Sequence, residues 1–290
     1  MQGNKLSGKV EEMKDRIVNI ASGLGYYILF IGINILVSLI VEVAYGVYIG
    51  IELSSVGGNM PTQEEAVQMY MEFYNRYAVT ITLIYQIITF LIVYWIFRIR
   101  KKQLREETML VALKKKDILP IIVLGLTVQL FLSYAIELLP IPEDIMNEYA
   151  QASSPVLQNQ NIILKIISVV IIAPFVEEVV FRGIILRKFG KAMPIILAVI
   201  LSSCLFGLGH GQIVWMIYTA VLGILFSIMM LQKKSVTASI LMHMVFNFLG
   251  LFIELIPCSK DAMITICIVA FVLMISTWIF LLQGKGYAKI

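Results

Sequence analysis

A few polar side chains set deep in apolar sequence are the residues of this chain that could do chemistry. Glu177 and Glu178 are adjacent, and Glu178 stands four residues before Arg182 in the run Pro174-Phe175-Val176-Glu177-Glu178-Val179-Val180-Phe181-Arg182-Gly183. In a helix Glu178 and Arg182 share a face and can pair, while Glu177 points about 100° away and is left for another task. His210 follows Phe206 by four residues, and Asn247 follows His243 by the same spacing. The sequence holds just these two histidines, and both fall in apolar stretches. Two adjacent carboxylates in such surroundings cannot both stay ionised cheaply without cations or donors around them. Hydrolysis would use all of these parts: a base to activate water, donors for a developing oxyanion, and a partner to orient the base. The same residues would also serve as a buried ion-pair triad that orients helices, as a proton or cation relay in a transporter or channel, or as the peptide-binding cluster of a non-catalytic immunity or scaffold protein.

The elements that carry them are membrane helices. The 290 residues are 59% hydrophobic and 14% charged, with a mean hydropathy of +0.88, too little charge to cover a soluble surface. Eight stretches reach or approach the roughly 20 apolar residues that one crossing requires: 22–45, 78–97, 118–139, 162–185, 193–210, 213–231, 236–256 and 262–283. They are too long and too uniformly apolar for barrel strands, so the fold class is an all-α polytopic bundle of about eight helices. Basic residues alternate between the connections: Lys5, Lys9, Lys14 and Arg16, then 98–116, then Arg187, Lys188 and Lys191, then Lys233 and Lys234, then Lys285 and Lys289. The intervening connections hold Arg76 and Lys260. This pattern predicts both termini in the cytoplasm.

The chain divides accordingly. Residues 1–21 are a cytoplasmic segment, and 22–139 hold three crossings with a basic loop at 98–117. Residues 140–161 are an outer loop, 162–256 the helices with the polar motifs, and 257–290 the last crossing and tail. The first apolar run is too long for a signal-peptide core and is expected to remain as an anchor. The connections 54–77, which include Gly57 and Gly58, and 140–161 read either as solvated loops or as short helices across the outer face. Segment 103–116, with Leu104, Met109, Leu110 and Leu113 among charges, reads as an interfacial amphipathic helix. Basic residues spread over five segments argue against nucleic acid as a partner. Cys204, Cys258 and Cys267 read as small apolar residues, not ligands or disulfide partners. Glu42, Glu137, Glu254, Lys165, Asn34, Gln86 and Gln129 are assigned to structure, through headgroup contact, snorkelling or interhelical hydrogen bonding.

Taken together, Glu177-Glu178-x-x-x-Arg182, Phe206-x-x-x-His210 and His243-x-x-x-Asn247 resemble the three signature motifs of the CPBP family, the CAAX-protease and bacteriocin-processing proteins, also called the type II CAAX protease or Abi family. The resemblance covers about 162–250 and includes the neighbours Phe181-Arg182-Gly183 and Ser203-Cys204-Leu205-Phe206-Gly207. It implies an intramembrane endopeptidase acting on a membrane-associated peptide or protein; separately, the compact loops and the absence of organelle signals suggest a bacterial plasma membrane. Carried over, Glu177 would activate water with help from His210, and His243 and Asn247 would stabilise the oxyanion. Glu178 and Arg182 would position the base, with Phe206 beside them. The resemblance requires no cofactor. Zinc held by Glu177, His210 and His243 is the metal-dependent alternative, although the HExxH spacing is absent. One depth disagrees. Counted along the predicted stretches, Glu177 and His243 lie about 12 and 11 Å from the basic side, whereas His210 lies about 26 Å from it. Its helix must therefore start inside the membrane or tilt strongly if His210 is to join the site.

Overall fold

The computed structural model describes residues 2–56, 61–158, 161–253 and 258–283. Gly57, Gly58, Glu254, Lys285 and Lys289 lie outside the described residues. All eight predicted apolar stretches are largely or wholly helical where described, and six helices are long and apolar enough to cross a membrane.

The first is α1 (Gln2–Val56). The charged segment read as a separate cytoplasmic piece is part of this helix, because Lys, Glu, Met and Arg are all good helix formers. Arg16 donates to Glu12 one turn earlier, at 2.7 Å. The second is α2 (Gln63–Ile99), which opens on a capping box: Thr62 accepts from the Glu65 backbone and the Glu65 carboxylate from that of Thr62. Residues 63–77 are thus the first turns of α2 and neither loop nor independent helix. Tyr45 of α1 stacks on Phe73 of α2 at 3.9 Å.

Segment 103–116 departs from expectation. Before the next long helix begins at Lys115, its helix is the single turn α3 (Leu104–Glu107). Leu104, Met109 and Leu110 pack on the bundle core, so burial against protein wins over the lipid interface. The connection is pinned by Val236 donating to the Met109 carbonyl and Ser235 to the Val111 carbonyl, while Arg187 donates to the Glu107 carbonyl. This basic end of the molecule is therefore covered by its own connection. Next come α4 (Lys115–Leu138) and α5 (Glu143–Gln158). The latter turns most of the predicted outer loop into a helix.

From 162 to 192 the chain is one continuous helical rod with changing pitch. Short α-helices α6 (Ile162–Lys165), α7 (Ala173–Glu178) and α8 (Arg187–Ala192) alternate with π-helical stretches at Ile166–Ile172 and Val179–Leu186. π-Helix is rare and gathers at functional sites. All eight residues of the second stretch, Arg182 among them, are buried. The remaining helices are α9 (Ile195–Leu208), α10 (Ile213–Lys233), α11 (Val236–Ile253) and α12 (Lys260–Leu282).

Helices approach closely where side chains are small. A Cβ at Gly207 would stand 2.5 Å from the Met216 carbonyl oxygen, so α9 and α10 approach backbone to backbone there. Large apolar residues such as Ile28, Leu39, Trp95, Ile196, Val272 and Phe280 are more than half exposed around the bundle. A soluble monomer would not present so many together. They face lipid.

Candidate active site

The rod sets the geometry of the site. Pro174 has no N–H to give, and in a π-helix its acceptor would be the carbonyl of residue 169. The preceding residue, Ala173, does bond in that way, to the Ser168 carbonyl. The Val169 carbonyl is taken by Asn247 Nδ2 instead, at 2.8 Å. Asn247 thus ties α11 to the rod about two turns before the carboxylates, and one hydrogen of its amide remains for other partners.

Glu178 and Arg182 are fully buried, and Arg182 Nη1 donates to Glu178 Oε1 at 2.8 Å. The same oxygen lies 3.0 Å from His243 Nδ1. A carboxylate on Nδ1 makes that nitrogen the donor and leaves Nε2 facing outward. Arg182 is held between rings, its Cζ 4.3 Å from the centre of Phe206 and 5.3 Å from that of Phe226, and Phe226 stacks on His243 at 4.6 Å. Gly223 gives the guanidinium room, since a Cβ there would fall 3.1 Å from Arg182 Nη2.

Glu177 points the other way. Its Oε1 accepts from Gln86 Nε2 at 2.9 Å, and its Oε2 is 3.9 Å from His243 Nε2. That gap is wide enough for a bridging water but too long for a direct hydrogen bond. Glu177, Phe206, His210, His243 and Asn247 all line one cavity of about 790 Å³. Glu178 and Arg182 stand behind it, in the protein interior.

His210 sits in the turn after α9, its Nδ1 3.0 Å from the Phe206 carbonyl and its ring 5.1 Å from that of Phe206. The depth counted along the sequence does not keep His210 from the site, since it lines the same cavity as Glu177. Phe189 packs against Gly23 and Gly209 faces Ile31, points about 12 Å apart along α1. Helix α9 itself is about 21 Å long. His210 follows its C-terminal end, beside the cavity that Glu177 lines.

Sequence reasoning passed over several residues here. Gln86 was assigned to packing, yet it is fully buried and bonded to Glu177. Asn34, Gln129 and Glu137, also assigned to structure, line the cavity. A lone amide carries no spacing signal that links it to a carboxylate 91 residues away. The three cysteines are free thiols. Among the described residues no group of three His, Cys, Asp or Glu side chains is placed to hold a metal ion. His210 and His243 each spend Nδ1 on a protein oxygen and keep Nε2 free.

Neither curated proteins nor solved structures give a match to this chain. A family model does: residues 159–249 match the one described as "Rce1-like: Type II CAAX prenyl endopeptidase Rce1-like". All three motifs and every side chain of the cluster except Gln86 lie within that stretch. Over residues 159–249, then, this membrane protein is similar to the Rce1-like type II CAAX prenyl endopeptidases, the protease family its motifs resemble.

Proposed function

We propose that the protein is an intramembrane endopeptidase that hydrolyses a peptide bond of a membrane-associated peptide or protein with water activated by Glu177. The observation that carries this reading is the arrangement of one carboxylate. Glu177 is held by Gln86 on one oxygen, faces His243 with the other, and lines a cavity large enough for several residues of extended peptide. Glu177 takes a proton from water, the resulting hydroxide adds to the carbonyl carbon, and the proton passes to the departing amide nitrogen as the C–N bond breaks. His210, whose Nδ1 is used by the Phe206 carbonyl, turns Nε2 to the water. The free amide hydrogen of Asn247 and, in its protonated form, His243 Nε2–H meet the oxyanion. Glu178 and Arg182 act through His243 as positioning residues.

In the same reading the chain crosses a bacterial plasma membrane eight times with both termini in the cytoplasm. The rod and α9 supply the two crossings beyond the six long helices. No step calls for a metal, and nucleic acid is not a partner. The test is Glu177→Gln in purified protein, assayed on membrane-anchored reporter peptides. A general base contributes roughly 10²–10⁴-fold, so cleavage should fall by at least about a hundredfold with an unchanged unfolding temperature. Wild-type cleavage by this variant would sink the proposal, and a chelator that abolishes activity, with rescue by zinc, would replace the glutamate reading by a metal one.

A further inference from the structure

The cavity is one-sided in both position and charge. Its walls come from the ends of helices remote from the basic connections: 74–85 of α2, 129–137 of α4, 146–156 of α5, 215–222 of α10 and 243–253 of α11. Toward the basic end it stops at Glu177, Phe206 and His243, beyond which lie the buried Glu178–Arg182 pair and the connection packed beneath it. Helix α5 forms part of the far wall. Met146, Tyr149, Ser153 and Val156 lie on one of its faces and all line the cavity, and the Tyr149 ring packs edge-on to Trp215 and Tyr218.

Among the described residues the lining contains two carboxylates, Glu137 and Glu177, and no lysine or arginine. Outside it, the face is acidic. The segments 42–76, 137–165 and 254–261 hold eleven acidic residues against three basic ones, Arg76, Lys165 and Lys260. Membrane topology accounts for the scarcity of lysine and arginine there but not for the carboxylates, which contribute little to orientation. Glu143 and Asp144 have a local reason, since they occupy the first turn of α5 where its N-terminal dipole favours negative charge. Glu148 and the exposed Glu137 have none.

A second observation points to a donor-bearing guest. Gln129 lines the cavity and is 7% exposed, and its Oε1 has no hydrogen-bond partner among the described residues. Its Nε2 is spent on Ser133 at 2.8 Å. A buried acceptor without a donor, in a chamber whose charged groups are carboxylates, suits peptide N–H and ammonium groups. It offers nothing to a peptide's own carboxylate.

Resting on the protease reading above, we infer that the substrate enters from this acidic face and that its segment near the cleaved bond is cationic, a lysine- or arginine-bearing peptide. Anionic peptides are excluded by the mouth, where Glu137 and the acids of α5 add to the field of the cavity.

The experiment uses the full-length protein in proteoliposomes and three membrane-anchored reporters that differ only in residues flanking the cleavage segment: three lysines, three glutamines or three glutamates. Binding is read by fluorescence anisotropy on the Glu177→Gln protein, which separates recognition from chemistry, and cleavage on the wild type. The lysine reporter should bind at least about tenfold more tightly than the glutamate reporter in low salt, and the gap should close as salt shortens the screening length. The triple change Glu143→Lys, Asp144→Lys, Glu148→Lys should shrink the preference at least about threefold while cleavage of the glutamine reporter persists. Glu137→Gln gives the same test at a single mouth position should the triple variant not fold. Equal or tighter binding of the glutamate reporter overturns the inference, as does a lysine preference that neither variant reduces. Undiminished cleavage of every reporter by Glu177→Gln would instead strike the glutamate mechanism and leave the binding preference standing.

Discussion

Replacing Gln86 by leucine tests whether an amide that carries no motif belongs to the catalytic apparatus. Gln86 is fully buried on α2, and its Nε2 reaches Glu177 Oε1 at 2.9 Å. Leucine keeps a similar volume and removes the donor. A hydrogen bond to a charged group is worth about 1.5–3 kcal/mol, and at 1.36 kcal/mol per tenfold this is a loss of roughly ten- to 150-fold in kcat. Stability should move far less. Gln86 Oε1 has no partner among the described residues, so the substitution also removes an unsatisfied buried acceptor, and the two effects offset each other within about 1 kcal/mol. The assay is steady-state cleavage of an anchored reporter beside thermal unfolding of the same preparation. A drop in kcat with KM and unfolding temperature nearly unchanged is the signature of lost positioning. A variant that keeps kcat within twofold of the wild type would show that Gln86 merely packs, and the geometric argument would fail.

Arg182→Met should leave Glu178 buried with only His243, costing about 3–5 kcal/mol; thermal unfolding in detergent should show it, and Arg182→Lys should not rescue, because only the planar guanidinium fits between Phe206 and Phe226. Asn247→Leu strands the Val169 carbonyl and should cost about 1–3 kcal/mol, while Gln at that position, able to donate but longer, should restore part of the stability and little of the cleavage. Gly207→Ala places a methyl against the Met216 backbone oxygen and should destabilise by about 1–3 kcal/mol through overpacking, read as an earlier unfolding midpoint with the active-site residues untouched.

How far the chain could be read in advance depended on whether a feature was local. Helix character and the three motifs were legible because an apolar run and an i,i+4 pair are properties of neighbouring residues. The start of α2 was legible in principle, since Thr62-Gln63-Glu64-Glu65 spells a capping box, but the glycines before it drew attention toward a loop. The extension of α1 back to Gln2 went unread because charge was taken to end the helix, when only the bilayer ends there. Leu104, Met109 and Leu110 had the pattern of a surface-seeking helix, and their true partner is a core assembled from distant helices. The amide of Gln86 and the two π-helical stretches were beyond reach for the same reason. Each depends on a contact from another helix, such as Asn247 on the Val169 carbonyl, and Pro174 was the one local hint of a disturbed ladder.

The changing pitch of the rod makes the site a matter of counting. A π-helical turn holds one more residue than an α-helical turn, so each stretch stores a register offset without breaking the chain of hydrogen bonds. Deleting one residue from Ile166–Ile172 would let that stretch rewind as ordinary α-helix. Its flanks would keep nearly their present phase, because the residue removed is the one the wider turn had absorbed. A deletion among residues 173–176 of α7 would instead turn everything before it by about 100° relative to Glu177 and Glu178 and swing the Val169 carbonyl away from Asn247. Helix content and membrane insertion would survive such a change while the carboxylates lost their orientation. Single-residue insertions and deletions in the α-helical parts of this rod should therefore be functionally severe yet structurally quiet, the reverse of what length changes do in the connections.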